Sequence, residues 1–458
     1  ETGLAARLRS LLIQPPVPLG IDIEKAINWL ARTSDLALAP GQQDALRLAL
    51  SERVLVITGG PGTGKTTLVR GLVAILDRKK LPFVLAAPTG RAAKRLTEAT
   101  GAPAQTLHRL LEYDPKTASF LRDRDRPLDA AVTLVDEASM LDVTLACALA
   151  EAVPDGRRLI LVGDVDQLPS VGPGRVLSDL IESGVIAVVR LTEIFRQSAE
   201  SAIIANAHRI RRGELPQAPK PGETSDFFFL ERERPEDVMA TIKHLVAERI
   251  PASFGLDPMN AIQVLTPMNR GPIGTEALNR ELRALLNPPT VDSGQELGSE
   301  PSESESRSLR IGDRVMQIKN DYELDVFNGD LGRVIAIDRT EKTTTVSFDG
   351  REVTYDPSNL DELVLAYACS IHKSQGSEYP CVVVPVHTQH HVMLERNLLY
   401  TALTRARKLA ILVGEPRALA TAVSNRRTAP RHSRLAKRLA APVASGRKAS
   451  RPSTQSSV

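Results

Sequence analysis

Short apolar runs recur along this chain, with helix-like stretches between them. They are VLVI (54–57), FVLAA (83–87), VTLV (132–135), LILV (159–162) and AVV (187–189), then QVLT (263–266), VVVPV (382–386) and AILV (410–413). Each run is continuous rather than alternating. Strands apolar on both sides belong in parallel sheets covered by helices on both faces. The runs fall into two clusters, roughly 37–190 and 190–416, and so predict two α/β units.

Three stretches break the rhythm. Residues 113–128, YDPKTASFLRDRDRPL, carry turn residues and alternation, and predict a small hairpin inserted in the first unit. Residues 287–308, NPPTVDSGQELGSEPSESESRS, are acidic and low in complexity, and predict a disordered loop. Residues 326–362 hold Asn-Gly and Asp-Gly turns between β-branched residues, and predict a small antiparallel barrel inserted in the second unit. The predicted division is then 1–36 as an N-terminal helical remnant and 37–189 as the first unit. The second unit is 190–325 with 363–416, the barrel is 326–362, and 417–458 is a basic disordered tail.

The first strand runs into GGPGTGKTT, residues 59–67. The spacing Gly59-x4-Gly64-Lys65-Thr66 between strand and helix is a full P-loop. Along Gly59, Gly60, Pro61, Gly62, Thr63 and Gly64 the glycines would let backbone N–H groups turn toward phosphate oxygens, Pro61 having none to give. Lys65 adds a charge, and the helix start at Thr66 and Thr67 adds a dipole end. The Thr66 hydroxyl is placed for Mg²⁺. The chain is therefore expected to bind a nucleoside triphosphate.

Two later strands deliver polar groups. VTLVDEASM brings Asp136 and Glu137 to a strand end, where Asp136 can hold Mg²⁺ and Glu137 can activate water as a general base. LILVGDVDQLPSVGPG brings Gln167, an amide able to meet the γ-phosphate or the attacking water. Arg196 in LTEIFRQ and Arg405 in NLLYTALTRARK are candidate arginine fingers, with Arg407 close behind Arg405.

Charge changes the picture of the C-terminus. The net charge is +3, yet the ten basic residues after Glu415 stand without an acidic one, which leaves residues 1–415 at −7. A basic Ser/Pro/Ala-rich tail can hold phosphate backbones without reading sequence; a merely solvating tail is the other reading. No apolar run approaches the ~20 residues of a membrane span, so no membrane association is expected. Cys147, Cys369 and Cys381 lack paired spacing, which points to reduced thiols and a cytoplasmic location. His387, His390 and His391 lack flanking ligands and read as a solvated or loop-packed cluster. The chain starts with Glu1 and not methionine, as a fragment or processed chain would.

The ordered set LAPGQQDAL, GGPGTGKTT, APTGRAAKRL, LVDEASM, GDVDQLPSVGPG, LTEIFRQ, FNGDLG, HKSQGSE and LLYTALTRARK resembles the superfamily 1 helicases, and within them the RecD-like branch. The resemblance covers about residues 38–414. It implies two RecA-like domains with ATP and Mg²⁺ in the cleft between them. It implies 5′-to-3′ movement on single-stranded DNA, action at single-strand/duplex junctions, a monomer, a strand-separating pin at 113–128 and an SH3-like barrel. Gln42 would bind the adenine edge, and Gly376 and Glu378 would lie near the ribose. Thr89, His108, Ser370 and His372 would contact the DNA strand. Ser370 stands where the family often has threonine, which keeps the hydroxyl. The alternatives are a translocase without unwinding and an ATP-gated DNA-binding module; a P-loop kinase or GTPase fits poorly with the second unit.

Overall fold

Val54 and Val56 face one side of the first strand, Leu55 and Ile57 the other, and both sides are buried. That two-sided burial is the period-2 signature of a covered parallel strand. A computed structural model describes the chain except residues 34–37, 195–199, 221, 290–308, 322, 339, 427–430 and 442–458.

The first region contains β1 (Val54–Gly59), β2 (Phe83–Ala87), β3 (Ala104–Thr106), β4 (Tyr113–Asp114), β5 (Ser119–Phe120), β6 (Val132–Val135), β7 (Arg158–Gly163) and β8 (Ala187–Leu191). Six of these form one parallel sheet in the order β3-β2-β6-β7-β1-β8. Because β8 pairs with β1, the first unit runs to Leu191, two residues past the expected boundary. One face is covered by helices Ile23–Thr33, Pro40–Ser51 and Lys65–Arg78. The other is covered by Thr2–Ile13, Val143–Ala152 and Val176–Glu182. The N-terminal helical remnant therefore consists of two packed helices. β4 and β5 pair antiparallel, Tyr113 with Phe120 and Asp114 with Ser119, inside the expected hairpin.

The second region adds β9 (Phe227–Glu231), β10 (Ile262–Thr266), β11 (Arg314–Gln317), β12 (Leu331–Asp338), β13 (Thr343–Phe348), β14 (Arg351–Tyr355), β15 (Leu363–Leu365), β16 (Ala368–Ser370), β17 (Tyr379–Val386) and β18 (Ala406–Gly414). A second parallel sheet has the order β16-β10-β17-β18-β9. An antiparallel sheet, β14-β13-β12-β11-β15, forms the barrel around Val315, Val334, Val346 and Tyr355. The barrel's sheet thus spans 314–365, wider than 326–362. β11 is buried at all four positions, so it lacks the alternation that marks β13 and β14. Arg283 ties the barrel down through a buried pair with Asp313 (2.6 Å), which also accepts from Tyr367 Oη at 3.0 Å.

The expected disordered tail needs correction in its first part. Residues Pro416–Ser424 form a helix with Leu419 and Val423 buried, and Leu435–Ala440 form another with Leu435 and Leu439 buried. Both pairs have i,i+4 spacing, an apolar signal hidden by the surrounding arginines. The last helix returns to the first unit, against helices Thr2–Ile13 and Val176–Glu182. Arg431 reinforces the return, donating to the carbonyls of Ser170 (2.6 Å), Gly172 (2.8 Å) and Gly174 (2.8 Å). Leu435→Ala should therefore cost about 2–4 kcal/mol in urea unfolding, the loss for a fully buried leucine. A loss under about 1 kcal/mol would mean that this helix does not dock in solution.

Among the described residues no helix is long and apolar enough to cross a membrane. His387 is buried between the Glu233 carbonyl and the Glu415 carboxylate, each at 2.9 Å. Among the described residues no group of three His, Cys, Asp or Glu side chains is arranged to hold a metal.

Candidate functional site in the cleft between the two parallel sheets

The P-loop leaves β1 at Gly59 and enters helix Lys65–Arg78. Gly62 (φ 73°) and Gly64 (φ 75°) adopt the left-handed backbone that lets the loop curl. A side chain on Gly59 would lie 2.6 Å from Thr63 Oγ1, so the curl also needs glycine for space. The Thr63 hydroxyl closes the turn on the Gly60 carbonyl at 2.8 Å. Lys65 reaches over the loop, donating to the carbonyls of Gly59 (2.6 Å) and Gly60 (3.0 Å). Thr66 is exposed at the first helical turn, with Thr67 half-buried beside it. Gln42 is buried, accepts from Ala39 N–H (3.0 Å) and donates to the Gly64 carbonyl (3.0 Å). Its amide thereby joins helix Pro40–Ser51 to the end of the P-loop.

Asp136 and Glu137 follow β6, next in the sheet but one to β1. The Asp136 carboxylate accepts the Glu137 N–H at 2.8 Å. Glu137 is held at φ 52°, a left-handed conformation rare for a side chain of its size and a common site of stored strain. Burial and the neighbouring Glu137 charge push the Asp136 carboxyl up to about 6, against the pull of Lys65 and Arg95. An acidic group beside Lys65, with a hydroxyl nearby at Thr66, is a hard oxygen set of the kind that suits Mg²⁺.

The loop after β7 is gripped from the second region at Asp164, Asp166, Gln167 and Leu168. Tyr400 Oη donates to Asp164 (2.7 Å), and Arg211 pairs with Asp166 (2.7 Å). Arg405 donates to Gln167 Oε1 (2.7 Å), and the Leu168 N–H donates to Thr401 (2.9 Å). Gln375 donates to the Leu168 carbonyl (3.0 Å). Arg405 is only 2% exposed and also donates to the carbonyls of Ser377 (3.0 Å) and Thr401 (3.2 Å). The structure thus brings Gln167 and Arg405 together. Arg196 lies outside the described residues.

The remaining candidates gather on helix Gly90–Thr100 and the hairpin. Thr89 caps that helix, accepting from Ala92 N–H at 3.3 Å. Gly376, at φ 73°, sits so close that a side chain there would meet Thr89 Oγ1 at 2.7 Å. Glu378 takes Arg95 and Arg407, and these cations hold its carboxyl below the ordinary range despite burial. Both residues expected near the ribose are seated on this helix, so the ribose role rests on the resemblance alone. Ser370 ends β16 and accepts from Lys373 N–H at 3.3 Å; His372 is half-buried beside it. His108 joins the hairpin, its ring 5.5 Å from Tyr113 and 5.7 Å from Phe120. Phe327, from the barrel's FNGDLG turn, packs so tightly on Gly90 that a side-chain carbon there would lie 2.6 Å away.

Sequence reasoning missed Tyr400, Thr401 and Gln375, although all three lie inside quoted motifs. It also missed Asp164, Arg211 and His208, whose ring lies beside the P-loop at Gly60. Nothing in the local pattern around His208 distinguishes it from an ordinary helical residue.

Three family models match. "AAA domain" matches 42–173, "ATP-dependent RecD-like DNA helicase SH3 domain" 278–348 and "UvrD-like helicase C-terminal domain" 365–413. The chain is 34% identical over 429 residues to the RecBCD enzyme subunit RecD of Mycolicibacterium smegmatis, covering 87% of this chain and 74% of that one. The chain belongs to the RecD-like helicase family. It is also 38% identical over 441 residues to the ATP-dependent RecD2 DNA helicase of Deinococcus radiodurans, covering 96% of this chain but 57% of that relative's length. Among solved structures, a Bacteroides Pif1 helicase in complex with ADP-AlF3 and ssDNA shares the fold. Its TM-score is 0.50 at 22% identity, covering 83% of this chain and 92% of that one. In this RecD-like chain the two parallel sheets are the RecA-like pair, and the antiparallel sheet is the SH3-like barrel.

Proposed function

We propose that this chain is an ATP-dependent DNA helicase that moves 5′ to 3′ on single-stranded DNA and unwinds duplex at junctions. One observation carries the reading. The loop 164–168 follows the strand beside the P-loop strand, and Tyr400, Thr401, Gln375, Arg405 and Arg211 of the second domain all hold it. A change at the phosphates can thus move the second domain, which a simple nucleotide-binding domain has no means to do.

The residues take these roles. Residues Gly59–Thr67 cradle the triphosphate, and Lys65 leaves its own loop carbonyls to meet phosphate oxygens. Thr66 and Asp136 would hold Mg²⁺, which when bound would offset negative charge on the triphosphate. Glu137 takes a proton from the attacking water. Gln167 orients that water, while Arg405 and Arg196 offset charge that gathers on the γ-phosphate. Gln42, at the P-loop's end, reads the adenine edge; Gly376 and Glu378 approach the ribose. Thr89, His108, Ser370 and His372 track the strand, contacting phosphate and sugar more than bases. The hairpin parts the duplex. The division into domains, a monomeric state and a cytoplasmic location belong to the same reading.

Steady-state ATP hydrolysis with and without single-stranded DNA tests it, followed by unwinding of 5′- and 3′-tailed duplexes. Stimulation of at least about tenfold by the strand is expected, with unwinding from the 5′ tail. ATP and DNA binding without stimulation would sink the motor reading in favour of a gated binder. Stimulation without strand displacement would leave a translocase.

A further inference from the structure

The second domain places one more side chain on the P-loop. Helix Ala202–Arg212 carries His208, which is 9% exposed and among the buried polar residues. A side-chain carbon on Gly60 would lie 3.2 Å from His208 Cε1 and 3.8 Å from its Nε2. The same carbon would lie 3.1 Å from Tyr400 Oη. His208 Nε2 is buried with no hydrogen-bond partner in the structure.

A buried polar nitrogen without a partner costs stability and asks for a ligand. What lies beside it is the loop built to hold phosphates. Tyr400 donates its one hydroxyl proton to Asp164, so it has none to donate to the ring. Burial first, then the nearby Arg211 and Arg212 charges, hold the imidazole below its ordinary range, while the Pro61 backbone and Asp164 pull the other way. An anion is the ligand that would reverse that balance.

We infer that His208 Nε2 hydrogen-bonds the terminal phosphate of a nucleoside triphosphate held by the P-loop, and so reports triphosphate rather than diphosphate to the second domain. The inference rests on the ATP-binding reading above. It assigns His208 a phosphate contact separate from the arginines, made by a residue on the same helix as Arg211, which holds the loop 164–168. Loss of the terminal phosphate would free that helix at its P-loop end.

The test compares equilibrium binding of a fluorescent non-hydrolysable triphosphate and of the matching diphosphate. His208→Gln keeps an amide nitrogen near the Nε2 position, while His208→Asn cannot reach it. His208→Asn should weaken the triphosphate about tenfold, the worth of one hydrogen bond to a charged group, with the diphosphate nearly unchanged. His208→Gln should keep most of the wild-type preference. Equal effects on both nucleotides, or none on either, would overturn the inference. Lys65→Ala serves as the control for the underlying reading. If wild type and Lys65→Ala bind the triphosphate alike, the P-loop reading itself fails.

Discussion

Glu137→Gln should leave ATP binding intact and lower the DNA-stimulated hydrolysis rate by roughly 10²–10⁴-fold, the usual range for losing a positioned general base. The substitution keeps size and shape. It also keeps the backbone N–H that donates to Asp136, and that bond helps hold residue 137 in its left-handed conformation. What it removes is the proton acceptor. It also removes one of the two influences that raise the Asp136 carboxyl, the other being burial. Asp136 should then ionise at lower pH, so metal-nucleotide binding should be no weaker than in the wild type. Single-turnover hydrolysis with a titration of ATP affinity separates the two effects. A rate within about tenfold of wild type would remove Glu137 from the chemistry.

Arg405→Ala should lower the turnover rate by about 10³-fold or more, as for loss of a guanidinium at a transferring phosphate. It should also destabilise the protein. Three acceptors, Ser377 O, Thr401 O and Gln167 Oε1, lose a buried donor at once, and each unsatisfied group costs about 1–3 kcal/mol. Arg405→Lys is the informative companion. An ammonium restores the charge but not the planar fork, and it cannot span three acceptors in fixed directions. Lysine should therefore recover part of the stability and little of the rate. Thermal unfolding measured beside turnover decides the matter. Normal turnover with a lowered unfolding temperature would make Arg405 a strut between Gln167 and Ser377 and nothing more.

Most of the scaffold was visible in the sequence, because a parallel strand covered on both faces has to be apolar throughout. VLVI and LILV could hardly be anything else between helices. The barrel's first strand, Arg314–Gln317, escaped for the converse reason. It is short and wholly buried, so it shows neither alternation nor a long apolar run. The two late helices escaped because charge dominated the count. Leu435 and Leu439 are two apolar positions among Arg434, Lys437 and Arg438, and only packing against the first domain reveals their purpose. In the site, motif spacing made the P-loop and the carboxylates legible, since those residues act from one short segment. His208 and Arg211 reach the P-loop and the loop 164–168 across the fold, from helix Ala202–Arg212. No local pattern encodes that meeting. Glu378 likewise meets Arg95 and Arg407 across the fold, a pairing that no motif spacing announces.

The return of helix Leu435–Ala440 to the first domain changes how the molecule can be divided. The second domain and its barrel are, in topology, an insertion within the first, since chain belonging to the first domain lies on both sides of them. Cutting the polypeptide after β18 would not yield a first domain with a shortened end. It would strip cover from Leu4, Leu8 and Leu11 and from Val176 and Leu180, which share a core with Leu435 and Leu439. The clean excision runs the other way. The inserted portion could be lifted out and the flanking segments spliced, leaving the P-loop sheet with both of its helical layers.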